Sequence, residues 1–105
     1  MPFINVNGIQ LHYEIEGNGT PLLIISGTGA DLRNPRPDYP TFEGFQVLRY
    51  DQRGLGQTAS PKGTYTMGDY ADDAASLLDN LEIDRINVIG ISFGGMVAQH
   101  LVTRY

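Results

Sequence analysis

Asn87-Val88-Ile89-Gly90-Ile91-Ser92-Phe93-Gly94-Gly95-Met96 is the stretch on which the reading of this chain turns. The apolar residues of Arg85–Ile89 predict a buried strand, and Gly94 to Tyr105 predicts a helix with Met96, Val97, Leu101 and Val102 available for packing. Between them stands Gly-x-Ser-x-Gly. A strand that reverses directly into a helix needs a tight, strained turn. A side chain at position 90 or 94 would collide with the neighbouring strand and helix, so both positions are glycine. Such a turn lifts Ser92 out at the C-terminal end of the sheet. The new helix aims its free N–H groups and its positive end at the same place. The backbone N–H of Phe93 then suits a developing oxyanion. The plain alternative is a glycine-rich turn carrying an ordinary serine. The strand before and the helix after favour the chemical reading.

Upstream, Thr66 through Leu81 predicts a helix. Met67, Tyr70, Ala71, Ala74, Leu77, Leu78 and Leu81 recur at spacings of three and four, which makes one face apolar. Thr66 suits the N-cap with Asp69 three residues on, and the early acids Asp69, Asp72 and Asp73 suit the helix dipole. Gln46–Asp51 reads as a strand, followed by the glycine-punctuated loop Arg53-Gly54-Leu55-Gly56-Gln57-Thr58. Pro35, Pro37 and Pro40 discourage regular structure over 31–45, apart from a short helical turn near Thr41–Gly44. Leu22-Leu23-Ile24-Ile25 is a continuous apolar run, as expected of a strand covered on both faces. At the start, Phe3–Val6 and Gln10–Ile15 flank Asn7-Gly8, a strong hairpin signal. In the second of these strands Leu11, Tyr13 and Ile15 share one face. His12, Glu14 and Glu16 share the other, which predicts a half-exposed strand.

The order of elements is that of an α/β protein: a three-layer, mostly parallel sheet with an N-terminal antiparallel hairpin. The 105 residues allow one domain at most. A net charge of −5 argues against a nucleic-acid binder and against a polybasic membrane contact. With no cysteine, disulfide frameworks, thiolate metal sites and a cysteine nucleophile are excluded from this stretch. No apolar run approaches the roughly 20 residues that span a bilayer, and no secretory signal is visible at the N-terminus, so a cytoplasmic protein is expected.

Three landmarks, in order, resemble the α/β-hydrolase superfamily. Leu22-Leu23-Ile24-Ile25-Ser26-Gly27-Thr28-Gly29 is similar to the strand and His-Gly-x-Gly turn that supply the first oxyanion donor. Asp51-Gln52-Arg53-Gly54-Leu55-Gly56-Gln57-Thr58 is similar to the family's Asp-x-Arg-Gly-x-Gly-x-Ser loop. Gly90 to Gly95 resembles the nucleophile elbow. Ser26 stands where the family usually has histidine, and Thr58 where it usually has serine. The Asp-Gln-Arg-Gly form is shared with proline iminopeptidase-like members. The elbow is closer to esterase, lactonase and cofactor-free haloperoxidase-like members. The resemblance implies Ser92 as the catalytic nucleophile and the N–H groups of Thr28 and Phe93 as the oxyanion hole. It implies Gly90, Gly94 and Gly95 as the structural glycines of the elbow, and a serine hydrolase acting on a carboxylic ester or related small acyl substrate. No metal or organic cofactor is implied.

A serine nucleophile needs a base and an acid that orients it, and the family's chain order is Ser, Asp or Glu, then His. The thirteen residues after Ser92 hold no acid and only His100. His100 is two turns along the helix, roughly 9–12 Å away. His12 and His100 are both expected at the surface. The expectation is therefore residues 1–105 as the N-terminal part of a single domain, C-terminally incomplete, with the acid and histidine elsewhere. Such a fragment would be inactive, and its Arg85–Ile89 strand would be a bare edge open to self-association. A non-catalytic ligand-binding module on the same fold is the alternative. Asp51 and Arg53 are expected to be structural, and Asp69, Asp72, Asp73 and Asp79 to form a solvated helix face rather than a metal site. Gly54-Leu55-Gly56 lacks the third glycine and the helix of a dinucleotide fingerprint. Asp31, Arg33, Asn34 and Arg36 fit a substrate entrance and an ordinary surface loop equally.

Overall fold

The computed structural model describes residues 3–27, 43–60 and 62–104. The segment 31–36, read as a substrate entrance or a surface loop, and Thr41 lie outside the described residues; Glu43-Gly44 is a turn. The elements are β1 (Phe3–Val6), β2 (Ile9–Glu16), β3 (Thr20–Ile25), β4 (Phe45–Tyr50), α1 (Met67–Asn80), β5 (Asn87–Gly90) and α2 (Phe93–Arg104). They form one five-stranded sheet in the order β1-β2-β4-β3-β5.

Asn7 and Gly8 both take positive φ, 48° and 80°, which is the conformation a two-residue hairpin turn requires. That turn joins β1 to β2, and β2 in turn pairs antiparallel with β4. The parallel region is β4-β3-β5. The sheet is thus mixed over the described strands: the hairpin attaches through β2 and contributes both antiparallel pairings, and β4-β3-β5 is parallel, as expected.

β3 occupies the interior of the sheet, and Leu22, Leu23, Ile24 and Ile25 are all buried. Their alternation divides them between two faces. Leu23 and Ile25 join Leu11, Leu48 and Tyr50 in the main core, which Ala71, Ala74 and Leu77 of α1 and Val97 and Leu101 of α2 cover. Leu22, Ile24 and Val47 pack on the opposite face with half-buried Phe45 and Ile91. Both described helices therefore share one face. β5 ends the sheet and pairs, among the described residues, with β3 alone.

The expected cap of α1 is present as a full capping box. Asp69 N–H donates to Thr66 Oγ1 at 3.1 Å, and Thr66 N–H donates to Asp69 Oδ2 at 2.8 Å. The solvated acidic face is only partly present. Asp73 is 1% exposed and belongs to the buried face of the helix. It lies four residues before Leu77, so helical spacing places it among the core positions whatever its polarity. Arg53 compensates the buried carboxylate with a two-pronged pair, Nε to Oδ2 at 2.6 Å and Nη2 to Oδ1 at 2.8 Å. Asn7 Nδ2 adds a third hydrogen bond at 3.0 Å. One buried acid thus joins the hairpin, the loop after β4 and α1. Arg53 accordingly pairs with Asp73.

Among the described residues no helix is long and apolar enough to cross a membrane.

Candidate active site

β3 and β5 are parallel neighbours in the register Ile25↔Gly90, so their C-terminal ends lie side by side. The chain leaves β3 to one side to form β4, then crosses through α1 to form β5 on the other side. Such a reversal of strand order opens a crevice at the carboxyl ends of the strands. Ser26-Gly27 and Ile91-Ser92 occupy its two lips. Ile91 N–H donates to Ile25 O at 2.9 Å and carries the pairing one step past β5.

Ser92 is exposed and has φ +56°, a left-handed conformation that is uncommon and strained for a residue with a β-carbon. The turn is closed by Gly94 N–H to Ile91 O and Gly95 N–H to Ser92 O, both 2.9 Å. Those two amides are committed to the turn. Phe93, which opens α2, is the next amide beside Ser92, and the first N–H groups of a helix have no partner within it.

The glycines are there for space. A β-carbon built at Gly90 would lie 2.5 Å from Gly94 O and 2.6 Å from Gly95 Cα. One at Gly94 would run into the carbonyl of Ile25 and lie 2.7 Å from Ser26 O. At Gly95 the nearest contact would be Gly90 O at 3.6 Å. Its own β-carbon has room, and the tightness around Gly95 is that of its backbone against Gly90. On the opposite lip, a β-carbon on Gly27 would sit 3.2 Å from Ser92 Cβ and 3.8 Å from Ser92 Oγ. Gly27 therefore lies directly against the Ser92 side chain. Thr28, expected as the other oxyanion donor, lies outside the described residues.

Phe93 turns its ring toward α1. It meets Tyr70 edge-on at 5.0 Å between centroids, and Tyr70 meets Tyr65 in the same manner at 6.0 Å. Arg53 lies over the Tyr65 ring at 5.2 Å. These contacts anchor the first residue of α2 to the loop after β4. Burial, above all, raises the Tyr70 phenol above its ordinary range. The hydrogen bond to Asp73, before any other cause, raises the Arg53 guanidinium further.

The two histidines are placed differently from each other. His100 is exposed on α2, as expected. His12 is fully buried, contrary to the expectation of a surface residue. The loop after β4 runs back alongside β2. Asp51 N–H donates to His12 O at 2.9 Å, and Ala59 N–H donates to Gln10 O at 3.1 Å. His12 Nδ1 meets Asp51 Oδ2 at 2.7 Å, and His12 N–H donates to Thr58 Oγ1 at 2.9 Å. Thr58 Oγ1–H donates in turn to Asp51 O at 2.6 Å. Phe3 closes the other side, 5.0 Å from the imidazole. β2 is three strand spacings from β5 in the sheet, about 14 Å, so His12 does not reach Ser92. Asp51 and Thr58 are structural partners of His12.

Gln52 was not singled out by sequence. It is 2% exposed at the end of β4, and its Nε2–H donates to Ser26 O at 2.7 Å, on the lip facing Ser92. Its only signal in the sequence is its place in the Asp51-Gln52-Arg53-Gly54 loop.

A model of the α/β-hydrolase fold matches residues 20–105. This chain belongs to the α/β-hydrolase fold family. The crystal structure of an enol-lactonase from Burkholderia xenovorans LB400 superposes on this α/β-hydrolase chain with a TM-score of 0.90. It is 38% identical and is matched over 99% of this chain and 42% of its own. A poly(3-hydroxyalkanoate) depolymerase of Ectopseudomonas oleovorans is 36% identical over 87 residues, 82% of this chain and 31% of that protein. A soluble epoxide hydrolase of Corynebacterium sp. strain C12 is 34% identical over 94 residues, 89% of this chain and 33% of that protein. The chain thus spans 31–42% of the length of these three relatives. These three relatives are by name a lactonase, a depolymerase and an epoxide hydrolase, and the family is one of enzymes.

Proposed function

We propose that the protein is a serine hydrolase of ester, lactone or related acyl bonds, with Ser92 as nucleophile. The observation that carries this reading is the backbone at Ser92. An exposed hydroxyl on a strained residue, between a strand and a helix whose flanking glycines leave no space for a side chain, is an arrangement with no use in packing. Two of the three relatives named above, a lactonase and a polyester depolymerase, act by their names on acyl–oxygen bonds, which supports the acyl class of substrate.

In this reading Ser92 Oγ attacks the carbonyl carbon as its proton passes to a base. The Phe93 N–H, together with that of Thr28, holds the oxyanion of the tetrahedral intermediate. The alcohol leaves, and water then releases the acyl group from Ser92. A histidine base and its orienting acid come from outside these 105 residues, since neither His12 nor His100 is placed at Ser92. The chain alone is then inactive, and the whole protein is the active species.

The test is Ser92→Ala in the whole protein, assayed on an activated acyl ester. Turnover should fall to background with circular dichroism and melting temperature preserved. Retained turnover would move the nucleophile elsewhere.

A further inference from the structure

Gln52 carries two polar atoms into the interior, and among the described residues only one of them has a partner. Nε2–H donates to Ser26 O at 2.7 Å; Oε1 is buried with no hydrogen-bond partner among the described residues. Because Ser26 O can only accept, the amide orientation follows from this contact. A buried acceptor left unpaired is unfavourable by about as much as a single hydrogen bond contributes. Gln52 therefore adds little net stability, and a methionine of similar shape would remove the unpaired atom while also taking this donor from Ser26 O. What the glutamine supplies is direction.

That direction matters because of what Ser26 O touches. The carbonyl is pressed between Gln52 and the first turn of α2, where a β-carbon on Gly94 would lie 2.7 Å from it. The peptide bond is planar, so fixing the Ser26 carbonyl fixes the whole Ser26–Gly27 plane. Gly27 is in turn the surface against which Ser92 rests, 3.2 Å from its Cβ and 3.8 Å from its Oγ by the position of a built β-carbon. Glycine lacks the side chain that would otherwise restrict this plane, so an outside anchor is required.

We propose that Gln52 is a positioning residue of the site: its amide holds the Ser26–Gly27 peptide, and that peptide sets the direction of the Ser92 hydroxyl. This inference rests on the reading of Ser92 as nucleophile. Gln52 does not touch substrate in this role. It acts on kcat through Ser92, with little effect on KM.

The experiment compares Gln52→Met, Gln52→Glu and Ser92→Ala in the whole protein, with p-nitrophenyl butyrate as the probe. Gln52→Met should lower kcat about tenfold, as expected for the loss of one positioning hydrogen bond. KM should stay within about twofold and melting temperature within about 2 °C. Gln52→Glu adds a signature that packing would not produce. An ionised carboxylate cannot donate to Ser26 O, whereas a protonated carboxyl can. Burial raises the pKa of such a carboxyl, so the ratio of variant to parent kcat should climb as pH falls from 8 toward 5, within the range where both stay folded. An unchanged kcat in folded Gln52→Met overturns the proposal. So does a loss matched by a large fall in melting temperature. If the methionine variant does not fold, a flat Gln52→Glu ratio across that range overturns it instead. Full activity of Ser92→Ala overturns the nucleophile itself. An inactive Ser92→Ala beside a fully active Gln52→Met removes only the role of Gln52.

Discussion

Gly90→Ala is the sharpest probe of the elbow, because the obstacle it meets is purely one of space. Gly90 does not occupy the left-handed region, so alanine can adopt its backbone conformation. The new methyl group would lie 2.5 Å from Gly94 O, 2.6 Å from Gly95 Cα and 2.7 Å from Gly95 N. Contacts below 3.0 Å do not persist, and all three atoms are backbone, so no side-chain rotation relieves them. The first turn of α2 must withdraw from β5 by about half an ångström at the least, and nearer 1 Å to restore an ordinary contact. Ser92 and Phe93 lie between the two colliding positions and move with them. With Ser92 as the proposed nucleophile, a displacement of that size lowers rate by about 100-fold, or ~2.7 kcal/mol of transition-state stabilisation. Overpacking itself is destabilising by about 1–3 kcal/mol. The assay is kcat and KM of the whole protein on an activated ester, with melting temperature and far-ultraviolet circular dichroism measured alongside. Gly95→Ala is the graded comparison: its β-carbon meets Gly90 O at 3.6 Å, so its rate should fall between those of Gly90→Ala and the parent. A folded Gly90→Ala variant with kcat within about twofold of the parent would refute the reasoning, because Ser92 would then not depend on that close approach.

Three other outcomes are expected. Asp73→Ala leaves the buried Arg53 guanidinium without its carboxylate and should destabilise the protein by about 3–5 kcal/mol in urea unfolding; a change below 1 kcal/mol would show that solvent compensates the charge. The Tyr50 phenol is raised above its ordinary value of 10.0, first by burial and then by Asp73. Its native form therefore keeps its proton when the unfolded chain loses it. The associated stability is complete below pH 10 and declines as pH rises beyond it, so an early native-state ionisation of Tyr50 in a phenolate absorbance titration would contradict its burial. Finally, we propose that the 105-residue chain self-associates through β5, whose Ile89 is 36% exposed at the end of the sheet. Light scattering should give a mass that rises with concentration and falls back in Ile89→Lys, whereas a monomer at high concentration would count against that edge.

Much of the fold was legible in residue order because local rules decided it. Asn7-Gly8 encodes its turn through two positive φ angles, and Thr66 with Asp69 encodes the start of α1 through two reciprocal hydrogen bonds. Leu22-Leu23-Ile24-Ile25 encodes an interior strand because no face of it could meet water. Glycines at 90 and 94 encode the elbow, because at each a methyl group would strike backbone.

What escaped the sequence was set by partners distant along the chain. His12 alternates onto a face that looks polar, yet a loop 39 to 46 residues later supplies Asp51 and Thr58 to it. Asp73 looks like one acid among several on a helix until Arg53 and Asn7 close around it. Gln52 has no distinguishing spacing at all; only the approach of β4 to the end of β3 brings its amide to Ser26. Turns, caps and close-packed glycines depend on a few neighbouring residues and are therefore written locally. The burial of a polar side chain depends on which remote group arrives to satisfy it, and tertiary structure alone decides that.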